Sequence, residues 1–327
     1  MQSFYTQTAR RHTTTNGSAI FAPEMTAKPA TDTVFFSIVI PTYNRADFLP
    51  KTIASLDEQA FRGFEVIVVD DGSTDNTPAV LEQLQETYPW LRALRKPNAE
   101  RGAARNYGTQ HARGTYVTFL DSDDLLYPNH LQVAYEYLSQ HDQPAWYTQN
   151  YEFVNGEGRQ VRANYQYEGD LNRRLVKGNV LSCMGVFLRK DIAEQHPFEE
   201  DRRMAASEDY ELWLRLAPRH RLHYQNVVTA AMVEHEDRSV LTMDSQKLIT
   251  RKEVMLEKVM RNEQIRLFYT RSQLNRLLAS NWSYIALHIA MSGGNKQLVR
   301  KYWWRSVKTH LPMLLTRRSF AVLKRMF

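Results

Sequence analysis

Three carboxylates fall within four positions at Asp121-Ser122-Asp123-Asp124, directly after the apolar run Tyr116-Val117-Thr118-Phe119-Leu120. Carboxylates gathered this closely repel one another unless a counter-charge joins them. Mg²⁺, Mn²⁺ or Ca²⁺ would suit, because each takes hard oxygen ligands and brings a double positive charge. A solvated Asp-rich turn is the plain alternative. A second acidic pair, Asp70-Asp71, closes the run Glu65-Val66-Ile67-Val68-Val69. A third, Glu208-Asp209, opens a stretch in which Leu212, Trp213 and Leu216 recur at helical spacing. Anions in a first helical turn also complement the helix dipole, which by itself needs no function. Arg101 and Arg105 stand four residues apart between the first two acidic pairs, on one helix face, where either could meet phosphate oxygens.

These groups need elements to hold them. Val34 to Ile40 reads as a buried strand stopped by Pro41, and Glu65 to Asp70 as a second. Leu91 to Leu94 and Thr115 to Leu120 supply two more strands, and Asn179 to Arg189 and Val227 to Val233 two later ones. Helices are expected after Asn44 or Asp47 as cap, from Thr77-Pro78 to Glu86, over 100–112, over 128–140 and from Ser207. Strands alternating with helices imply βαβ units, a mostly parallel sheet and helices on both faces. An open sheet of this kind binds ligands beyond the carboxyl ends of its strands, where Asp70-Asp71 and Asp121–Asp124 both fall. One acid there can read a base or ribose while another holds a metal on a diphosphate.

At 327 residues the chain can bury a large core, and its 43% hydrophobic and 24% charged residues are those of a globular protein. The single cysteine, Cys183, excludes an internal disulfide and fits a reducing compartment. No apolar run approaches the length of a membrane span. Residues 1–33 are rich in Ser, Thr, Asn, Ala and Pro, with Glu24 the first acid, and read as a disordered tail; a transit peptide is the alternative. After Glu263 the chain has no acid, while Arg and Lys interleave with Tyr302, Trp303, Trp304, Leu311, Met313, Leu314, Leu315 and Phe320. That mix suits a helix lying on an anionic bilayer, or one packed on the catalytic body with its charges solvated. Two helices flanking Ser292-Gly293-Gly294-Asn295 are expected there.

Taken together, Ile38-Val39-Ile40-Pro41-Thr42-Tyr43-Asn44, Val68-Val69-Asp70-Asp71-Gly72-Ser73-Thr74-Asp75, Gly102-Ala103-Ala104-Arg105-Asn106 and Phe119-Leu120-Asp121-Ser122-Asp123-Asp124 resemble the family 2 glycosyltransferases of the GT-A fold. The resemblance covers about residues 35–240. It implies an α/β GT-A catalytic domain over 34–240, followed by a basic helical extension over 241–327. It further implies an inverting enzyme that moves one sugar from a nucleoside-diphosphate sugar, a UDP-sugar first, to a carbohydrate or glycolipid acceptor. Pro41, Thr42 and Asp71 match the family's base contacts, Asp121 its ribose- or sugar-side acid, and Asp123 its ligand for Mn²⁺ or Mg²⁺. Asp209 matches the catalytic base. His235, with Ser239 four positions on, matches a residue facing the metal and diphosphate, and imidazole is an acceptable Mn²⁺ ligand. Arg105 completes the expected donor-binding set. The expected place is the cytoplasm, with the cytoplasmic membrane face as the alternative.

Four other readings fit less well. A processive synthase would carry a Gln-x-x-Arg-Trp motif and membrane helices, and neither is present. A sugar nucleotidylyltransferase needs a Gly-rich loop where Pro41-Thr42-Tyr43-Asn44 stands. A DxD phosphatase would place its nucleophilic aspartates early in the chain. A nucleic-acid binder would leave the acidic strand ends unexplained, so no nucleic-acid partner is expected. A nucleotide-sugar-binding protein with weak catalysis stays open at this point.

Overall fold

The computed structural model describes residues 34–162, 165–234 and 244–326. The expected tail over 1–33 and the predicted ligand His235 lie outside the described residues. The first half alternates as the sequence predicts: β1 (Phe36–Thr42), α1 (Leu49–Asp57), β2 (Phe64–Asp70), α2 (Thr77–Thr87), β3 (Leu91–Arg95), α3 (Glu100–Gln110) and β4 (Tyr116–Phe119). Every residue of β1, β2 and β4 is buried. Phe36, Ile38 and Ile40 of β1 pack into one core layer and Val39 into the other, so both faces of the sheet are covered. That two-sided burial is why these strands read as unbroken apolar runs.

The second half adds β5 (Leu125–Leu126), α4 (His130–Gln140), β6 (Trp146–Val154), β7 (Gln160–Arg162), α5 (Leu171–Arg174), β8 (Val186–Arg189), α6 (Lys190–Gln195), α7 (Glu208–Leu216) and β9 (Leu222–Val233). The sheet order is β3-β2-β1-β4-β8-β6-β9-β5, with β7 on β6. β1 to β4 are mutually parallel, whereas β8 runs antiparallel to both β4 and β6. The sheet is therefore mixed, and its parallel half is the one that carries the acidic strand ends.

Some local expectations change. β1 continues through Pro41, paired with Val69 of β2, and ends at Thr42. Pro41 is tolerated because its missing N–H falls on the β4 side, where pairing has already ended at Val39 and Phe119. Asn44 does not cap α1, whose N-cap, Phe48, makes no side-chain cap bond. Asn44 has φ 52° instead, and its Oδ1 accepts from the Thr74 amide at 2.8 Å, tying the loop after β1 to the loop after β2. The expected strand from Asn179 narrows to Val186–Arg189, because Cys183–Gly185 form a helical turn.

Beyond β9 come α8 (Ser245–Arg261), α9 (Glu263–Phe268), α10 (Arg271–Met291), α11 (Lys296–Thr309) and α12 (Arg317–Met326). α10 and α11 flank the glycine turn as expected. Leu248 and Met255 of α8, Leu277 and Ile285 of α10, and Val322 of α12 belong to the same buried cluster as Val39 and Ile67 of the sheet. The cationic, aromatic segment is split between two faces. Tyr302, Trp303 and Met313 are buried, whereas Trp304, Leu311, Leu315 and Phe320 are 53%, 70%, 77% and 58% exposed. No helix among the described residues is long and apolar enough to cross a membrane.

Candidate active site

Parallel pairing brings the carboxyl ends of β1, β2 and β4 to one edge, beside the start of α7. A cleft of about 800 Å³ opens there, a volume usual for a small-molecule site. Pro41, Thr42, Asp71, Arg105, Asp121, Asp123 and Asp209, each singled out in the sequence, all line it. Glu234, the last described residue before His235, lines it too.

Asp71 is held tightly. Its Oδ1 accepts from Lys96 Nζ at 2.8 Å and from the Ala99 amide at 2.9 Å, and its backbone carbonyl accepts from Asn98 Nδ2. With Asp71 only 3% exposed, these bonds fix the direction of the carboxylate rather than leave it to solvent. Asp70, beside it, is structural: it accepts from the Ser73 amide at 2.8 Å and faces Arg95 at 3.5 Å. Lys96 was not singled out in the sequence; only the fold brings it to Asp71.

Asp121, Asp123 and Asp124 can each offer an oxygen, all within 4.8 Å of one another. The turn that carries them is pinned by Thr52 of α1, whose hydroxyl donates to the carbonyls of Ser122 at 2.9 Å and Asp124 at 3.1 Å. Asp124 is 1% exposed and accepts from the Val233 amide at 3.1 Å, so the trio is tied to the end of β9. An all-oxygen carboxylate set fits a hard divalent cation. The trio is the group among the described residues with metal-ligand chemistry.

Arg105 joins the two sides of the cleft. It is 2% exposed; Nη2 donates to Asp121 Oδ1 and Nη1 to Glu208 Oε1, both at 2.7 Å. Glu208 Oε2 accepts in turn from the Ser207 amide at 2.9 Å, which fixes the first turn of α7. The motif around Arg105 explains how α3 comes so close. A Cβ on Gly102 would stand 2.5 Å from the Glu199 carbonyl oxygen, and one on Gly108 would stand 2.4 Å from Val39 Cγ1. Asn106 adds a third tie through its Nδ2 to the Phe198 carbonyl at 2.9 Å.

Asp209 follows Glu208 and is more loosely held. Its Oδ2 accepts from Asn179 Nδ2 at 2.8 Å and its Oδ1 from the Tyr210 amide at 2.7 Å. Burial, and then the charge of Glu208, raise its pKa above the ordinary carboxylate value, with Arg105 opposing. A raised pKa makes a carboxylate a better proton acceptor near neutrality. Sequence reasoning did not single out Asn179, and named Glu208 as the neighbour of Asp209 in a first-turn acidic pair and the substitute base should Asp209 not serve.

The pattern of "Glycosyl transferase family 2" matches residues 37–196. Chondroitin synthase of Pasteurella multocida is 29% identical over 213 residues, which is 64% of this chain and 22% of that protein. The uncharacterized glycosyltransferase YibD of Escherichia coli is 41% identical over 92 residues, 28% of this chain and 27% of that one. The chain thus spans about a quarter of these curated relatives. In three dimensions it is similar to S. aureus TarS 1-349 in complex with UDP-GlcNAc, with TM-score 0.67 and 20% identity over 89% of this chain and 88% of that one. It is also similar to a mannosyltransferase from Pyrobaculum calidifontis in complex with GDP-Man and Mn²⁺, with TM-score 0.56 and 17% identity over 92% and 87%. Residues 37–196 of this chain thus form a glycosyltransferase family 2 domain.

Proposed function

We propose that this protein moves one sugar from a nucleoside-diphosphate sugar to a hydroxyl of a carbohydrate or glycolipid acceptor, with inversion, in the building of a polysaccharide, lipopolysaccharide or similar glycoconjugate. The observation that carries this reading is the single cleft in which Arg105 links the donor-side Asp121 to the helix start that bears Asp209. Pro41, Thr42 and Asp71 bind the base, and Asp121 the ribose or sugar. Asp209 accepts the proton from the attacking hydroxyl. Arg105 holds Asp121 and Glu208 in register, and its field favours negative charge at the diphosphate end of the cleft. Asp123, with Asp121 and Asp124 beside it and His235 as a further ligand, would hold Mn²⁺ or Mg²⁺, which would supply positive charge for a nucleoside diphosphate. Similarity to proteins solved with UDP-GlcNAc and with GDP-Man supports a nucleotide-sugar donor, and a UDP-sugar is the first choice. Residues 34–240 are taken as the catalytic domain and 241–327 as its helical extension.

The extension is also read as a contact with the cytoplasmic face of an anionic membrane. What supports this is the exposure of Trp304, Leu311, Leu315 and Phe320 together with exposed Lys301, Lys308, Arg317, Lys324 and Arg325 in a segment without acids.

The donor reading is tested by titrating UDP, then GDP, into the wild-type protein and Asp123→Ala with and without Mn²⁺. Wild type should bind one nucleotide more tightly with Mn²⁺, and the variant should lose that increment. Equal binding with metal, without it and in the variant would overturn the metal-dependent donor site.

A further inference from the structure

Next to the acceptor side of the cleft lies a set of cations that the proposed reaction does not use. Arg251 and Lys252 stand on α8, and Arg318 on α12. Arg251 is 3% exposed, and its Nε and Nη1 are buried with no hydrogen-bond partner. A guanidinium cannot shed its proton, so idle donors on a buried charge are costly. Lys252 Nζ donates to the neutral Ser207 hydroxyl at 3.2 Å. Arg318 Nη1 donates to the Ser280 carbonyl at 2.9 Å. The Tyr284 ring of α10 gathers the two, with Lys252 Nζ at 5.5 Å and Arg318 Cζ at 5.8 Å from its centroid.

All three groups are pushed below their ordinary pKa, first by burial. Lys252 comes down to about 8, with Arg251 and Arg318 adding to the effect of burial. The carboxylates whose field reaches Arg251 and Lys252 are Glu208 and Asp209. Both are engaged elsewhere: Glu208 by Arg105 and the Ser207 amide, Asp209 by Asn179 and the Tyr210 amide. These cations therefore do not serve as direct ion-pair partners of the site's acids.

We propose that Arg251, Lys252 and Arg318 form a site for an anionic group, a phosphate or a carboxylate, carried by the acceptor near the hydroxyl that receives the sugar. Its place follows from one hydrogen bond and one neighbouring charge. Lys252 is bonded to Ser207, the residue that starts α7 two positions before Asp209. Arg101, which lines the cleft, adds a like charge whose field reaches Arg251. An anion held there would sit beside a hydroxyl presented to Asp209. The word acceptor rests on the glycosyltransferase reading; the anion site itself does not.

The test uses the full chain without divalent metal, at constant ionic strength in chloride, with inorganic phosphate and acetate as separate probes. Phosphate or acetate should raise the wild-type melting temperature, and whichever acts more strongly identifies the preferred group. Arg251→Met and Lys252→Gln should each weaken that anion's Kd at least about tenfold. Without anion, Arg251→Met should be as stable as wild type or more so, since it removes an unpaired buried charge. An equal anion response in wild type and both variants, no response in wild type, or a marked loss of stability in anion-free Arg251→Met would overturn the proposal. Manganese-dependent UDP binding by the wild type, measured alongside, tests the donor reading by itself.

Discussion

On the proposed donor side of the cleft, Asp71 is met by Lys96 and the Ala99 amide, and Asp121 by Arg105. On the proposed acceptor side, the hydrogen bonds to Asp209 among the described residues come from the neutral Asn179 side chain and the Tyr210 amide, and Arg251 keeps two donors idle. The first arrangement fixes carboxylates in direction before any ligand arrives, which suits recognition of a ligand with constant parts, a base and a diphosphate. The second leaves groups whose needs are unmet until something binds, which suits the partner that brings a proton to lose. The two halves of one cleft are therefore stabilised to different degrees, and Arg105 spans them, ion-paired to Asp121 on one side and to Glu208 on the other.

Removing that link should have the largest effect. Arg105→Met would break the 2.7 Å ion pairs to Asp121 and to Glu208, the latter only 3% exposed. Breaking one partner from a buried ion pair costs about 3–5 kcal/mol, so urea unfolding should show a loss of that order, with Arg105→Lys recovering part of it. A loss below about 1 kcal/mol would mean that the two sides are held together by packing instead.

A smaller effect is expected at the outer face of the helical extension. Leu311→Ser with Leu315→Ser removes apolar surface that is already exposed, so folding should be nearly untouched. Association with vesicles containing phosphatidylglycerol should fall about tenfold, in line with roughly 1.5–3 kcal/mol for a fully buried leucine and less for a partly inserted one. Raised salt should weaken what remains. Equal binding by the double variant would assign this surface to something other than a bilayer.

The donor side was legible in the sequence because its chemistry is local. Asp71 and the Asp121–Asp124 group each directly follow a strand whose burial on both faces makes an unbroken apolar run, so the site and its support are read together. The acceptor side was legible only at Asp209, where a helix start announces itself. The ties that give these residues their character join positions far apart in the chain, such as Arg105 to Glu208, Lys96 to Asp71 and Asn179 to Asp209. Lys252 and Arg251 carry no motif and look like ordinary helix-surface cations until α10 and α12 cover them. β6 was missed because Gln149 and Asn150 interrupt its apolar pattern; both are buried and hydrogen-bonded, to the His130 carbonyl at 2.9 Å and the Tyr165 carbonyl at 2.6 Å. Pro41 misled in the other direction, because a missing N–H ends a strand only where a neighbour needs it.

The central claim is that donor binding and proton removal belong to different carboxylates. It is tested most directly by titrating Asp209→Asn with the UDP- or GDP-sugar that the wild type binds, in Mn²⁺, and measuring transfer on the same preparation. Asparagine keeps the size and hydrogen bonding of aspartate but cannot take a proton. The account predicts donor affinity within about twofold of wild type and transfer lowered about a hundredfold or more. Transfer at the wild-type rate, or donor affinity falling in step with the rate, would contradict it.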